Sequence, residues 1–330
     1  MITRLIHPDA SIGVEEMNGR RTISVEPRDG LSILGKRWVT DYPLELIEHV
    51  LRVKGPVWLC DEIRRDEDPL YVQRFLHWDI LNHVGKEDFA GRRMLDFGSG
   101  CGASSMILAR MFPEAEIVGI ELVSEFVELA QHRGRFYGVE NRVSFRSSPG
   151  PKSLPPKIGT FDYIILSAVY EHLLPNERQV ILPLLWSHLK QYGIIFLGET
   201  PYRWFPIETH TTGLPFINYL PDRMALYCAR RFADGVSSTA SWTDLLKMGI
   251  RGGTMRGILA ILNREGRKAE LINPSRLKVK DHIDLWYKFA SASRKRPLVK
   301  KLAMLSARAV KAATGVVVTP TLSLAIRKVL

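Results

Sequence analysis

Between residues 92 and 200, short apolar runs alternate with stretches in which apolar residues recur at helical spacing. RRMLDFG (92–98), AEIVGIEL (115–122), RVSFRSS (142–148), FDYIILSAV (161–169) and GIIFLGET (193–200) read as strands. FDYIILSAV is almost continuously apolar, which suits a strand buried on both faces. Between them lie three helical patterns: ASSMILARMF (103–112), SEFVELAQHRGRFYG (124–138) with Ser124 as N-cap, and NERQVILPLLWSHLK (176–190) with a kink expected near Pro183. Strand and helix in alternation predict an α/β fold with a doubly wound, mostly parallel sheet.

The flanks read less clearly. RTISV and LSIL suggest short strands around the turn EPRDG, and PLELIEHVLRV a helix with Pro43 at its first turn. The acidic run RRDEDP (64–69) suggests a boundary, after which LYVQRFLHWDILNHV (70–84) is helical. Beyond residue 222, RMALYCARRF, SWTDLLKMG, MRGILAILNREG and DHIDLWYKFA are expected to be helices, and KAELI an antiparallel edge strand. A helix over 297–313 would align Leu298, Leu302, Leu305 and Ala309, with Lys300, Lys301, Arg308 and Lys311 turned away. The expected organisation is an N-terminal extension or cap (1–69), an α/β domain (70–275) and a basic helical C-terminal segment (276–330), so both additions are expected to be helical.

Charge sharpens this division. The net charge is +11, but residues 251–330 hold 18 Lys and Arg against 4 Asp and Glu, a local +14, leaving the first 250 residues at −3. A near-neutral body with a basic tail fits an anionic membrane surface and lacks the basic stripe of a nucleic-acid binder. Three dispersed cysteines (Cys60, Cys101, Cys228) signal neither a disulfide framework nor a zinc cluster, so no metal is expected and the compartment is reducing. The first residues lack the apolar run of a signal peptide and no segment approaches a membrane span. A cytoplasmic protein is expected, peripheral at most to the inner face of the membrane.

LDFGSGCGASS (95–105) joins the first of these strands to its helix. It lacks the Gly-Lys-Ser/Thr of a P-loop, which argues against ATP or GTP. Gly98, Gly100 and Ala103 formally meet the dinucleotide fingerprint. Asp96 argues against a pyrophosphate, because a carboxylate at the mouth of the turn repels one and attracts a cation. S-adenosylmethionine (SAM) is cationic and phosphate-free, and its carboxylate can use backbone N–H groups near the turn. Glu121, closing the next strand, suits two ribose hydroxyls.

On MLDFGSGCG, VGIEL and FDYIILSAVYEHLL, over roughly residues 70–200, the chain resembles the class I SAM-dependent methyltransferases of the small-molecule type. The resemblance implies that Asp96, Gly98, Ser99, Gly100 and Gly102 hold the methionyl part, and Glu121 with Leu122 the ribose. Where the family often has an acid contacting the adenine amino group, this chain has Ser147 and Ser148, whose hydroxyl or backbone groups can accept the same bond.

Methyl transfer also needs an aligned acceptor, exclusion of water and removal of a proton from a hydroxyl acceptor. ETPYRWFPIETHTTGLPFINYLPD (199–222), with four prolines and five aromatics, is expected to be a loop covering the acceptor side. It offers His210 as a base, oriented by Glu208, and AVYEHLLP adds Tyr170, Glu171 and His172, the last matching a histidine common after the fourth strand in such enzymes. The expected catalytic residues are therefore His210, His172 and Glu208. The expected reaction is SAM-dependent O-methylation of a small molecule, a glycan or lipid-linked acceptor at the membrane surface being the finer reading. The alternatives are a nucleic-acid methyltransferase and a non-catalytic SAM-binding scaffold, with a nicotinamide oxidoreductase third.

Overall fold

The computed structural model describes residues 2–28, 33–291 and 297–329. It opens on strands: β1 (Ile2–His7), β2 (Ala10–Met17), β3 (Arg20–Pro27) and β4 (Arg37–Thr40). Helices α1 (Leu44–Glu67) and α2 (Val72–Leu81) follow. Next come β5 (Arg93–Phe97), α3 (Ala103–Met111), β6 (Glu116–Glu121), α4 (Ser124–Tyr137), β7 (Val143–Ser147), β8 (Phe161–Ser167), α5 (Pro175–His188) and β9 (Leu189–Pro201). The remainder is α6 (Asp222–Phe232), α7 (Trp242–Lys247), α8 (Met255–Leu262), β10 (Ala269–Ile272), α9 (His282–Ser291), α10 (Pro297–Thr314) and β11 (Thr321–Lys328). The large sheet has the order β10-β11-β9-β8-β5-β6-β7, parallel where β5 meets β8, β8 meets β9 and β6 meets β7. This is the doubly wound, mostly parallel α/β fold.

Two compact units divide the chain, Met1–Phe75 with Gly98–Ser148, and Leu76–Phe97 with Pro149–Leu330. In the first, β1 to β4 form an antiparallel sheet. Met17 pairs with Arg20 across Asn18 and Gly19, both at positive φ (53° and 77°), the geometry of a tight two-residue hairpin. One face of this sheet presents Ile12, Val14, Ile23 and Val25 to Leu46, Ile47, Val50, Leu59 and Ile63 of α1, and Leu129 of α4 joins the same core. Gly55 (φ 70°, ψ 175°) and Pro56 break α1 midway. Arg133 is fully buried, 2.9 Å from the Glu62 carboxylate, and donates to the Cys101 carbonyl at 2.8 Å. Removing one partner of such a pair costs about 3–5 kcal/mol.

In the second unit β8 is flanked by β5 and β9, and β11 inserts antiparallel between β9 and β10. KAELI supplies β10, the expected antiparallel edge.

The terminal additions differ from expectation. The N-terminal one is largely a sheet, and the C-terminal segment, expected to be helical, contributes β11 to the sheet interior. Leu322, Leu324, Ala325 and Ile326 are buried there. Of LSIL, Leu31 and Ser32 lie outside the described residues, as do Asp29 and Gly30 of the expected turn, and Ile33 and Leu34 are not in a strand. The acidic run 64–69 continues α1 as far as Glu67. α5 is one helix through Pro183. No helix among the described residues is long and apolar enough to cross a membrane.

Candidate functional site

The glycine turn takes a conformation that other residues resist. Gly98, Gly100 and Gly102 all have positive φ (76°, 53° and 88°). A Cβ on Gly102 would stand 2.7 Å from the Ala130 Cβ, so the turn packs directly on α4. Around Gly100 a Cβ would meet nothing within 4 Å, leaving an open approach to backbone. The Gly98 and Ser99 N–H groups both donate to the Ile120 carbonyl, at 2.9 and 3.0 Å, tying the turn to β6.

Glu121 ends β6 and is held by backbone donors. Gly100 N–H reaches its Oε2 at 3.0 Å, and Leu122 N–H its Oε1 at 2.6 Å. Ser147 pairs with Glu121 in register, and the Ser148 N–H donates to the Glu121 carbonyl at 2.7 Å. The structure therefore brings together Gly100, Glu121, Leu122, Ser147 and Ser148, all expected from sequence. Leu122 is half exposed beside them, and the buried Ser99 Oγ has no hydrogen-bond partner. An open glycine backbone, a fixed carboxylate with lone pairs to spare and an orphaned hydroxyl suit a nucleoside bearing donor hydroxyls. Asp96, two residues before the turn, is buried near the end of β5. Cys101 is buried, which pushes its thiol up to about 12 and makes it a filler rather than a nucleophile.

The acceptor-side residues gather at the ends of β8 and β9. Tyr170–His172 form a 3-10 turn after β8. Glu171 is fully buried. Its Oε2 accepts from the Thr200 hydroxyl at 3.0 Å, while Oε1 has no hydrogen-bond partner among the described residues and lies 3.9 Å from His172 Nε2. Burial raises this carboxyl to about 7. His172 Nδ1 is 2.7 Å from the Lys247 carbonyl, which only accepts, so Nδ1 donates; in the neutral ring Nε2 then carries the lone pair. The His210 ring stands 5.3 Å from the His172 ring, centre to centre. Burial lowers the His210 pKa, His172 lowers it further, and Glu208 opposes both. Gly249 makes room for this arrangement: at φ 100°, its Cβ would lie 2.5 Å from the His210 Cδ2 and 3.2 Å from the Glu171 Cγ.

Glu208 takes a different part from the expected one. Its carboxylate does not orient the His210 ring. It accepts the backbone N–H groups of His210 (2.8 Å), Thr211 (2.9 Å) and Thr212 (2.5 Å), and the Thr212 hydroxyl at 2.9 Å. Acidic oxygens so occupied, in a buried side chain, hold the loop in shape. Glu171, absent from the expected catalytic set, is the carboxylate that meets the histidines. Its position in YEH was visible in the sequence, but its burial comes from β9 and could not be read locally.

The proline-rich segment is a loop over residues 202–221, with a short 3-10 turn at Ile217–Tyr219, but residues 199–201 still belong to β9 and Asp222 opens α6. Its aromatics divide. Tyr202 is buried, while Trp204, Phe216 and Tyr219 are exposed, with Trp204 stacked on Tyr219 at 6.0 Å. Beside the loop, a cavity of about 440 Å³ is lined by Tyr170, Arg178, Arg203, Trp242 and Arg251, among others. Asp222 is the one carboxylate on its wall.

Comparison with known proteins places a family on part of this chain. Residues 94–193 match a family model described as a methyltransferase domain. The mitochondrial ubiquinone biosynthesis O-methyltransferase of Rattus norvegicus is 30% identical over 117 residues, 35% of this chain and 33% of that protein. The malonyl-[acyl-carrier protein] O-methyltransferase of Bacillus cytotoxicus is 28% identical over 136 residues, 41% of this chain and 45% of that protein. Norajmaline N-methyltransferase of Rauvolfia serpentina is 33% identical over 87 residues, 26% of this chain and 29% of that protein. The chain thus spans under half the length of each of these relatives.

Proposed function

We propose that this chain, whose residues 94–193 match a family model described as a methyltransferase domain, transfers a methyl group from SAM to an oxygen of a small molecule. The observation that carries the cofactor half is the docking of the Glu121 carboxylate on the Gly100 N–H, within a turn of three left-handed glycines. Glu121 and Leu122 take the ribose, Ser147 and Ser148 the adenine edge, and Asp96 with Gly98, Ser99, Gly100 and Gly102 the methionyl end. Bound there, SAM supplies a sulfonium-borne methyl group, and its sulfur leaves as a neutral thioether as the acceptor oxygen forms the new C–O bond.

On the acceptor side we assign ionisation of the hydroxyl to Glu171, His172 and His210, with Glu208 as the positioning residue that shapes the His210 loop. The relatives favour oxygen, since two of the three above are O-methyltransferases. Arg178, Arg203 and Arg251 on the neighbouring cavity favour an acceptor carrying an anionic group.

The finer reading is a lipid-linked or glycan acceptor met at an anionic membrane. It is supported by α10, where Leu298, Leu302 and Leu305 are exposed (75%, 64% and 49%) beside Lys301 and Arg308. Calorimetry with SAM and S-adenosylhomocysteine tests the cofactor half, and incubation of cell extract with methyl-labelled SAM tests transfer. Micromolar binding and a labelled small molecule are expected. Binding of NADH in place of either adenosyl compound would sink the proposal.

A further inference from the structure

Glu171, His172 and His210 do more than line an acceptor cavity. Each offers one ligand atom, and the three atoms lie within 4.8 Å of one another, the one such group among the described residues. We propose that they bind a divalent transition-metal ion of the zinc type, leaving a coordination position open for the acceptor oxygen. The role given to the ion rests on the methyltransferase reading above; the site itself does not.

The donor set is the first argument. Two imidazoles and one carboxylate suit zinc and its first-row neighbours, whereas magnesium and calcium require oxygen ligands. Three protein ligands with a vacant fourth position is also the composition of catalytic zinc sites, as opposed to structural ones.

The second argument is that each donor is already prepared. The Nδ1–H of His172 is spent on the Lys247 carbonyl at 2.7 Å, which fixes the tautomer with a bare Nε2. The Thr200 hydroxyl holds Glu171 Oε2 at 3.0 Å and turns the unpartnered Oε1 toward that Nε2. Such outer hydrogen bonds orient ligands and raise their basicity. His210 is carried by a loop whose backbone is pinned to Glu208, and its ring rests where Gly249 leaves space for it.

The third argument is cost. A buried carboxylate oxygen without a donor is expensive to keep, and a cation removes that expense. Ligand atoms about a tetrahedral ion stand roughly 3.4 Å apart. Glu171 Oε1 and His172 Nε2, 3.9 Å apart, reach that spacing by a small shift that keeps the Lys247 hydrogen bond. An ion in this place would lower the pKa of a hydroxyl bound at its open position, by the effect that brings zinc-bound water to about 7. The hydroxyl proton passes to solvent and the oxygen keeps the electron pair that forms the C–O bond.

The test titrates the chelator-treated full chain with Co2+, followed by its visible absorption, and then displaces Co2+ with Zn2+. One Co2+ per chain is expected, with the intense bands of a four- or five-coordinate site that Zn2+ abolishes. Glu171→Gln, His172→Ala and His210→Ala should each weaken binding at least 100-fold. Thr200→Val, which removes only the outer hydrogen bond, should weaken it about 10–100-fold. SAM affinity serves as the folding control for every variant. Binding of Co2+ that is absent, or equal in wild type and in a Glu171→Gln/His210→Ala double variant that still binds SAM, overturns the proposal. If Co2+ binds as expected but no methyl transfer is found, the metal site stands and the enzymatic reading fails. If transfer survives complete chelation while Co2+ does not bind, the reverse holds.

Discussion

The glycine turn and the acceptor-side cluster are built on opposite plans. In the turn, Gly98, Gly100 and Gly102 lie within five consecutive residues, and Glu121, Ser147 and Ser148 reach it through neighbouring strands of one parallel pair. Backbone groups make most of the contacts there, so the demand on sequence is for absent side chains and one carboxylate. The acceptor-side cluster draws Glu171 and His172 from one turn, Thr200 from a strand end, His210 from a loop, and Lys247 and Gly249 from the end of α7. Side chains do the work there and the contacts span long stretches of chain. A site made from backbone tolerates little change in its own few residues, whereas one assembled from scattered side chains can be altered piecemeal.

This contrast is open to attack at both ends. The largest effect is expected at Gly102→Val: with φ 88° and Ala130 at 2.7 Å, the added branch cannot be seated, and SAM affinity should fall more than about 100-fold by calorimetry. His210→Ala should reduce turnover by about 100- to 1,000-fold while SAM affinity stays within about twofold. A matching loss of SAM binding would abolish the distinction between the two regions. Glu121→Ala should do the opposite, weakening SAM about 10–100-fold through lost charge-assisted hydrogen bonds. Glu208→Ala should cut turnover about 10-fold and expose the 206–214 loop to limited proteolysis, because three backbone N–H groups lose their acceptor. Rescue by Glu208→Gln should be partial, a behaviour a proton-transfer residue would not show.

Stability should take part of its pH slope from neither region. Asp79 is partly buried as a residue, but its Oδ2 is closed off from solvent and burial pushes the carboxyl up to about 8; a Cβ on Gly198 would meet that Oδ2 at 1.9 Å. The folded state therefore holds this proton more tightly than the unfolded chain does. The stabilisation is fully present below about pH 4 and is lost as pH rises toward 8, with a slope of at most about 1.4 kcal/mol per pH unit. Asp79→Asn should flatten that slope in denaturant titrations across this range.

The parallel half of the fold was legible because each strand and helix there carries its own rhythm. FDYIILSAV and VGIEL needed no partner to be recognised, and KAELI stood out as an edge. RTISV was read as a strand and is part of β3, but β1, β2 and β4 were passed over although Asn18-Gly19, a strong hairpin signal, lies between two alternating stretches. TLSLAIRK was absorbed into a segment expected to be helical from its charge, since nothing local tells that it pairs with β9, far back along the chain. The glycine turn and Glu121 stood out in the sequence through their spacing and charge, and the structure brings Gly100 and Glu121 into hydrogen-bond contact. Glu208 was misjudged because its neighbours in sequence suggested a ring partner, while in the fold it serves the backbone. Glu171 was undervalued because its burial depends on Thr200 and Gly249, which no window around it contains.

One feature of the sheet bears on how acceptor choice can change. β9 ends at Pro201, and Pro201 sits in register with Thr321, the first residue of β11. The Tyr202 N–H also donates to the Pro320 carbonyl at 2.9 Å. Everything from Tyr202 to Pro320, including His210, Gly249 and α10, is thus an excursion whose two roots are clasped side by side. Such a module can lengthen, shrink or be exchanged with little strain on the strands that anchor it, while Glu171, His172 and Thr200 wait outside as a fixed socket. Variation among proteins built this way should concentrate between the roots, and a chimaera joined at 201 and 321 should retain strands β5 to β9 and β11 while taking edge strand β10 and its acceptor preference from the donor of the graft.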